Sequence, residues 1–213
     1  MKNLFFYVGC VPKNYSLAGG DRIFIELAKR WKNKDKIAVI TSPEGKEMCE
    51  ENGLKCNFIL IDRERSSDKM SLFLLKRAFK GILFSLKFKL PENSVVYSTS
   101  NFITDAVPSF LLKLKNKNIK WIGGYFLSPP NPFYGYDESK TKIKFPKFSD
   151  LSFYLQDKLS KFLINKFADY VYVTSLPDVE KFINKKRTKN KIIVIQGGID
   201  LKLSSKVKNK KPK

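Results

Sequence analysis

The chain contains no histidine. That excludes Ser-His-Asp triads, the commonest zinc sites and imidazole acid–base chemistry. It has only three cysteines, Cys10, Cys49 and Cys56, with no Cys-x-x-Cys pair; an odd count suits a reduced cytoplasm better than a disulfide scaffold. No cluster of metal-ligating residues stands out, so no metal is expected. No stretch of about 18 uncharged apolar residues occurs, so no transmembrane helix is expected. The apolar run Leu4 to Val8 is too short for a signal peptide and soon meets Pro12-Lys13-Asn14. Acids are scarce: 20 Asp and Glu face 41 Lys and Arg, a net of +21. Such a field attracts anions, whether nucleic acid, acidic headgroups or phosphorylated substrates, although a lysine-rich genome gives the same surplus without function. Lysine outnumbers arginine, which argues against a dedicated nucleic-acid reader, because bidentate contacts favour arginine.

Apolar residues make up 43% of 213 positions, enough for one large α/β domain or two small ones. The chain is organised around Asn14 to Trp31. An apolar strand, Leu4 to Val8, precedes it, and Ile23, Leu27 and Trp31 begin a helical period within it. Gly19 and Gly20 sit in the turn. They relieve strain in an ordinary strand–helix turn, or they let an anion approach the unpaired N–H groups of a helix N-terminus. Further strands are expected at Ile37 to Ile40, Phe58 to Ile61, Val95 to Tyr97, Lys120 to Tyr125, Tyr170 to Thr174 and Ile192 to Ile195. Helical stretches fall between them: Lys46 to Glu51, the segment from Lys69 to Pro91, Thr104 to Lys115 with Pro108 tolerable only in its first turn, and Leu151 to Phe167. Another helix is expected after Ser175 as its N-cap. The alternation gives an α/β, Rossmann-like parallel sheet of about seven strands with helices on both faces. Residues 1–200 read as that domain and 201–213 as a basic linker or tail.

Two segments stand apart. Lys69 to Pro91 contains no acid. Its lysines share a helical stripe beside Leu72, Leu75, Phe79, Ile82, Leu86 and Leu90. Lys76, Arg77, Lys80, Phe84 and Lys87 are the expected membrane-facing residues if this helix lies on an anionic surface; the other reading is a core helix with solvated lysines. Phe126 to Ser149 is a long irregular stretch rich in aromatics and proline, read as a loop on the acceptor side or as a packed surface flap.

Four motifs in order resemble the N-terminal half of a family-4 glycosyltransferase with the GT-B fold. They are Gly19-Gly20-Asp21-Arg22, Ile37-Ala-Val-Ile-Thr, Phe167-Ala-Asp-Tyr-Val-Tyr-Val-Thr-Ser175 and Ile192-Ile-Val-Ile-Gln-Gly-Gly-Ile-Asp200. The resemblance implies a domain that presents an acceptor, a glycan or a lipid-linked sugar, to a nucleotide-sugar co-substrate gripped by a second domain. It implies retention of anomeric configuration, no metal and no other cofactor. It brings Gly19 and Gly20 near the donor diphosphate and makes Asp21, Arg22, Ser100, Asn101 and Tyr125 acceptor-binding candidates. Asp21 and Asp105 are the candidates for a catalytic base; first-turn stabilisation of a helix is the plainer role for each. Ser98, Ser100 and Asn101 equally suit capping of the following helix. Asp169 and Asp200 match the family pattern and are expected to fix turns. Members often carry histidines before the second strand and after the fifth, where this chain has Lys34-Asp35-Lys36 and Tyr125-Phe126-Leu127. A catalytic role resting on the second histidine therefore does not transfer.

The family's donor domain would begin after Asp200, so the expectation is half an enzyme: a fragment, a truncated gene product or one subunit of a split transferase. Its expected location is the cytoplasm, with peripheral docking on the inner membrane face. The alternative is a non-catalytic basic α/β domain that binds anionic lipid or nucleic acid. A dinucleotide-dependent oxidoreductase is disfavoured, because the first loop lacks Gly-x-Gly-x-x-Gly.

Overall fold

The computed structural model describes residues 3–12, 17–33, 36–63, 70–135, 143 and 145–195. Seven strands form one sheet: β1 Leu4–Val8, β2 Ile37–Thr41, β3 Asn57–Leu60, β4 Val95–Ser98, β5 Lys120–Tyr125, β6 Tyr170–Val173 and β7 Ile192–Val194. Their order is β3-β2-β1-β4-β5-β6-β7, and every pairing is parallel. The inner strands are legible because strands covered on both faces read as continuous apolar runs; β1 and β2 are buried at every position.

The helices are α1 Gly19–Arg30, α2 Pro43–Glu51, α3 Met70–Lys87, α4 Ile103–Lys115 and α5 Phe148–Phe167. Side-chain alternation divides β1 between two cores. Leu4, Phe6 and Val8 meet Phe24, Ile25 and Ala28 of α1 and Met48 and Cys49 of α2. Phe5 and Tyr7 belong to the core built with Ala106 and Leu112 of α4 and Leu163 and Ile164 of α5, against which Phe84 of α3 and Phe88 just beyond it also pack. So α1 and α2 cover one face and α3, α4 and α5 the other.

Three local expectations change. The second helix starts at Pro43, not Lys46, because the Ser42 side chain accepts from the Gly45 N–H and proline suits the first helical position. Pro108 lies in the second turn of α4, although proline was expected to be tolerable only in the first. It frees the Thr104 carbonyl, and that oxygen lies against Gly9, where an added Cβ would come within 2.5 Å of it. After Ser175 no α-helix occurs among the described residues. Short 3₁₀ turns span Leu176–Asp178 and Glu180–Phe182, and Ser175 makes no side-chain cap. Arg187 closes this region instead. Its guanidinium donates to the carbonyls of Ile164, Asn165, Ala168 and Phe182, and so caps α5 from outside the helix. Lys69, residues 196–200 and the tail at 201–213 lie outside the described residues.

Candidate functional site

In an open parallel sheet, ligands bind beyond the strands' carboxyl ends where the order reverses. Here β1 lies between β2 and β4, so the loops after β1 and β4 part company at that point. A cleft of about 450 Å³ opens there, within the range of small-molecule sites. One wall is the start of α1, with Gly19, Gly20 and Asp21; opposite are Thr99, Ser100 and Asn101 after β4, and Phe126 and Leu127 after β5.

The two glycines divide their roles. A Cβ on Gly19 would meet nothing within 4 Å, so this residue fronts open space at the N-terminus of α1. A Cβ on Gly20 would lie 2.8 Å from the Phe126 ring. Gly20 is therefore small so that Phe126 can close the cleft. Gly20→Ala is expected to lower stability by about 1–3 kcal/mol, as overpacking does, whereas Gly19→Ala should leave it nearly unchanged; urea titration of both variants checks the contrast.

Asp105 is fully buried under the cleft. It accepts from the Gly9 N–H at 2.7 Å, the Ser100 hydroxyl at 2.7 Å, and the Thr99 and Thr104 hydroxyls at 3.2 Å each. Burial pushes its carboxyl up to about 7 despite these donors, which favour the ionised form. With its oxygens so engaged, Asp105 ties the end of β1 to the loop after β4 and to α4. It is a positioning residue for the two loops that make the cleft. Asp21 also lines the cleft; one of its oxygens accepts from the Ala18 N–H, and burial raises its pKa.

Asn101 is committed on both sides of its amide. Its nitrogen donates to the Leu127 carbonyl and to Asp157, and its oxygen accepts from the Phe126 N–H. It thus pins the loop after β5 to the loop after β4. Ser98 accepts from the Trp121 indole N–H and caps no helix, while Ser100 Oγ also accepts from the Phe102 N–H at the start of α4. Asp169 accepts from the Trp121 N–H and pairs with Lys113 and Lys120, the turn-fixing role expected of it.

Tyr125 does not reach the cleft. Trp121, Gly123 and Tyr125 share one face of β5, so Tyr125 packs edge-on against Phe182 and hydrogen-bonds Asp157 and Ser128. The next residue, Phe126, lines the cleft in its place. Arg22 is exposed on α1 and is not among the lining residues. Arg77 is not membrane-facing either. It is 3% exposed and pairs at 3.2 Å with buried Glu44 of α2. Phe84 stacks on Phe88 over the core, and Lys80 pairs with Asp62. Two site-building residues were missed in the sequence. Asp157, in mid-helix, reads as a solvated charge, yet it holds Asn101 and Tyr125 together. Gly9 could have been found from its place at the carboxyl end of β1, where backbones crowd.

Among the described residues no group of histidine, cysteine or acidic side chains could hold a metal. No helix among them is long and apolar enough to cross a membrane.

No protein-family model and no curated protein matches the chain. Solved structures match its fold. Anabaena HepE in complex with UDP and glucose superposes with a TM-score of 0.50 at 14% identity, over 95% of this chain and 46% of that one. HepE in complex with UDP gives 0.50 at 16% identity over the same shares. A UDP-N-acetylglucosamine 2-epimerase gives 0.52 at 12% identity, over 91% of this chain and 46% of its own. The chain therefore spans about half the length of these structures, and what it shares with them is the fold: a Rossmann-like α/β domain corresponding to one half of a GT-B-like protein.

Proposed function

We propose that this domain is the acceptor-side half of a nucleotide-sugar-dependent glycosyltransferase of the GT-B type, similar to family 4. A second domain or partner subunit grips the donor. The observation that carries this reading is the cleft at the switch point, with Gly19 fronting open space at the N-terminus of a 12-residue helix. As the anomeric carbon passes to an acceptor hydroxyl, negative charge builds on the leaving diphosphate. The unpaired N–H groups of α1 meet that charge without rearrangement. Ser100 and the Asp21 carboxylate lie across the cleft for the hydroxyls of a glycan or lipid-linked acceptor. Phe126 and Leu127 supply an apolar wall on which a sugar ring can rest.

Supporting this further, the solved structures of like fold include proteins in complex with UDP. In ¹⁵N-labelled protein, UDP or a UDP-sugar is expected to shift the amides of Gly19 to Asp21 and Thr99 to Asn101 first, at millimolar concentration. Shifts scattered over the lysine-bearing surface would instead favour a basic binding module. So would a salt-dependent mobility shift with random oligonucleotides exceeding any nucleotide effect.

A further inference from the structure

The outward side of α3 is apolar. Leu72, Phe79, Leu83 and Leu86 are exposed at intervals of 7, 4 and 3, one helical stripe, and Leu75 beside them is 68% exposed. On α5, Phe148, Leu155, Leu159 and Phe162 are exposed at the same intervals. Helix α4 packs between α3 and α5 and adds exposed Leu114. Two helices on one face of the sheet, α3 and α5, thus present apolar stripes, with Leu114 of α4 between them. Rows of exposed apolar side chains on neighbouring helices are the kind of surface that marks an interaction site.

Most of the charges lie at the margins, but Lys166 sits within the α5 stripe with its ammonium over the Phe162 and Phe167 rings, and Lys115 of α4 donates to carbonyls at the end of α3. In α3, Lys76, Lys80 and Lys87 each follow an exposed apolar residue by one position. Lys80 reaches Asp62 after β3, while Gly81 abuts Pro108 of α4, so the lysine side of α3 turns away from α4. In α5, Phe153 and Phe167 face α4 through Phe102 and Phe110, which places Lys158 and Lys161 on the far side. The nearby acids do not break the pattern. Asp62 is engaged by Lys80, Asp105 and Asp157 are buried, and Asp150 and Glu92 lie at the ends of the face.

We propose that the α3–α4–α5 face docks on an anionic lipid bilayer, its leucine and phenylalanine stripes entering the interface and its marginal lysines meeting acidic headgroups. The rim is basic on both sides. A second copy of the chain would therefore bring like charges together, whereas an anionic membrane complements both zones at once. The lysine stems lie along the apolar stripe while their ammonium groups reach the headgroups. This inference goes beyond the proposed transferase reading and stands or falls without it.

The test uses the purified chain with vesicles of phosphatidylcholine alone or with added phosphatidylglycerol. Phe79→Trp is expected to shift its emission to the blue with the anionic vesicles only. Leu75→Glu/Phe79→Glu, at exposed positions remote from the cleft, should keep the wild-type circular dichroism and melting curve. It should lower the vesicle partition coefficient about tenfold or more. Equal binding to both vesicle types would overturn the proposal. So would anionic binding that the double variant leaves intact, since the overall charge would then suffice. A concentration-dependent dimer that the double variant dissolves, without vesicle binding, would assign the face to self-association and overturn it too.

Discussion

Replacing Arg77 by alanine is expected to destabilise the domain by about 3–5 kcal/mol, the usual cost of stranding one member of a buried ion pair. Arg77 and Glu44 are 3% and 1% exposed, and they join α3 to α2 across the edge of the sheet. Removing the guanidinium takes the Arg77 charge away from a carboxylate that stays buried. Arg77→Leu/Glu44→Leu should recover most of the loss, because replacing both charges removes the desolvation penalty along with the attraction. Chemical denaturation of the two variants checks this. A single variant with near-wild-type stability would mean that Arg77 faces solvent or lipid after all. The result bears directly on the membrane proposal: an Arg77 variant that lost vesicle binding would report unfolding rather than docking.

Asp105→Ala should cost about 3 kcal/mol or more, as loss of a buried, multiply bonded carboxylate does. The hydroxyls of Thr99, Thr104 and Ser100 can turn to other acceptors, but the Gly9 N–H, 2.7 Å from the carboxylate, has a fixed direction and would be left unpaired. Asp105→Asn keeps the acceptor oxygen for Gly9 and should lose less. The pH dependence separates the roles. The folded carboxyl titrates near 7, above its value in an unfolded chain. Its contribution to stability is thus greatest below about pH 4 and declines as pH rises through about 7. Wild type should lose stability across that window, and the asparagine variant should lose this part of the slope. A slope unchanged in Asp105→Asn would show that the group is ionised throughout. The loops at the cleft share this anchor, so binding at the cleft should weaken in step with loss of the Gly9 contact.

The sheet and the first helix were legible because their signals are local. Five consecutive apolar residues in β1 and four in β2 leave little alternative to buried parallel strands, and Phe24 and Ala28 follow a helical period. The place of the cleft was legible too, because it follows from strand order. Individual side chains were less so. Tyr125 and Phe126 are both aromatic at a strand end, and only the parity set by Trp121 decides which enters the core. Arg77 reads as one more cation in an acid-free helix until its partner, Glu44, 33 positions earlier, is brought beside it by the βαβ crossover. The segment after Ser175 has helical spacing at Val179 and Phe182, but the Asn184–Arg187 turn pulls the chain back to cap α5 before a helix can extend. For Arg77 and for the segment after Ser175, a long-range contact decided among choices that local sequence left open.

The most direct test of the functional claim is turnover by the native protein, isolated from its host with any chain that accompanies it. It would be incubated with UDP-, GDP- and dTDP-sugars and with lipid and glycan extracts of that host. The expected result is release of a nucleoside diphosphate from at least one donor, dependent on an acceptor extract and abolished by Gly19→Trp, a change that fills the open space before α1 without touching the core. No release from any donor, or release that Gly19→Trp leaves unchanged, would contradict the assignment of the cleft to sugar transfer.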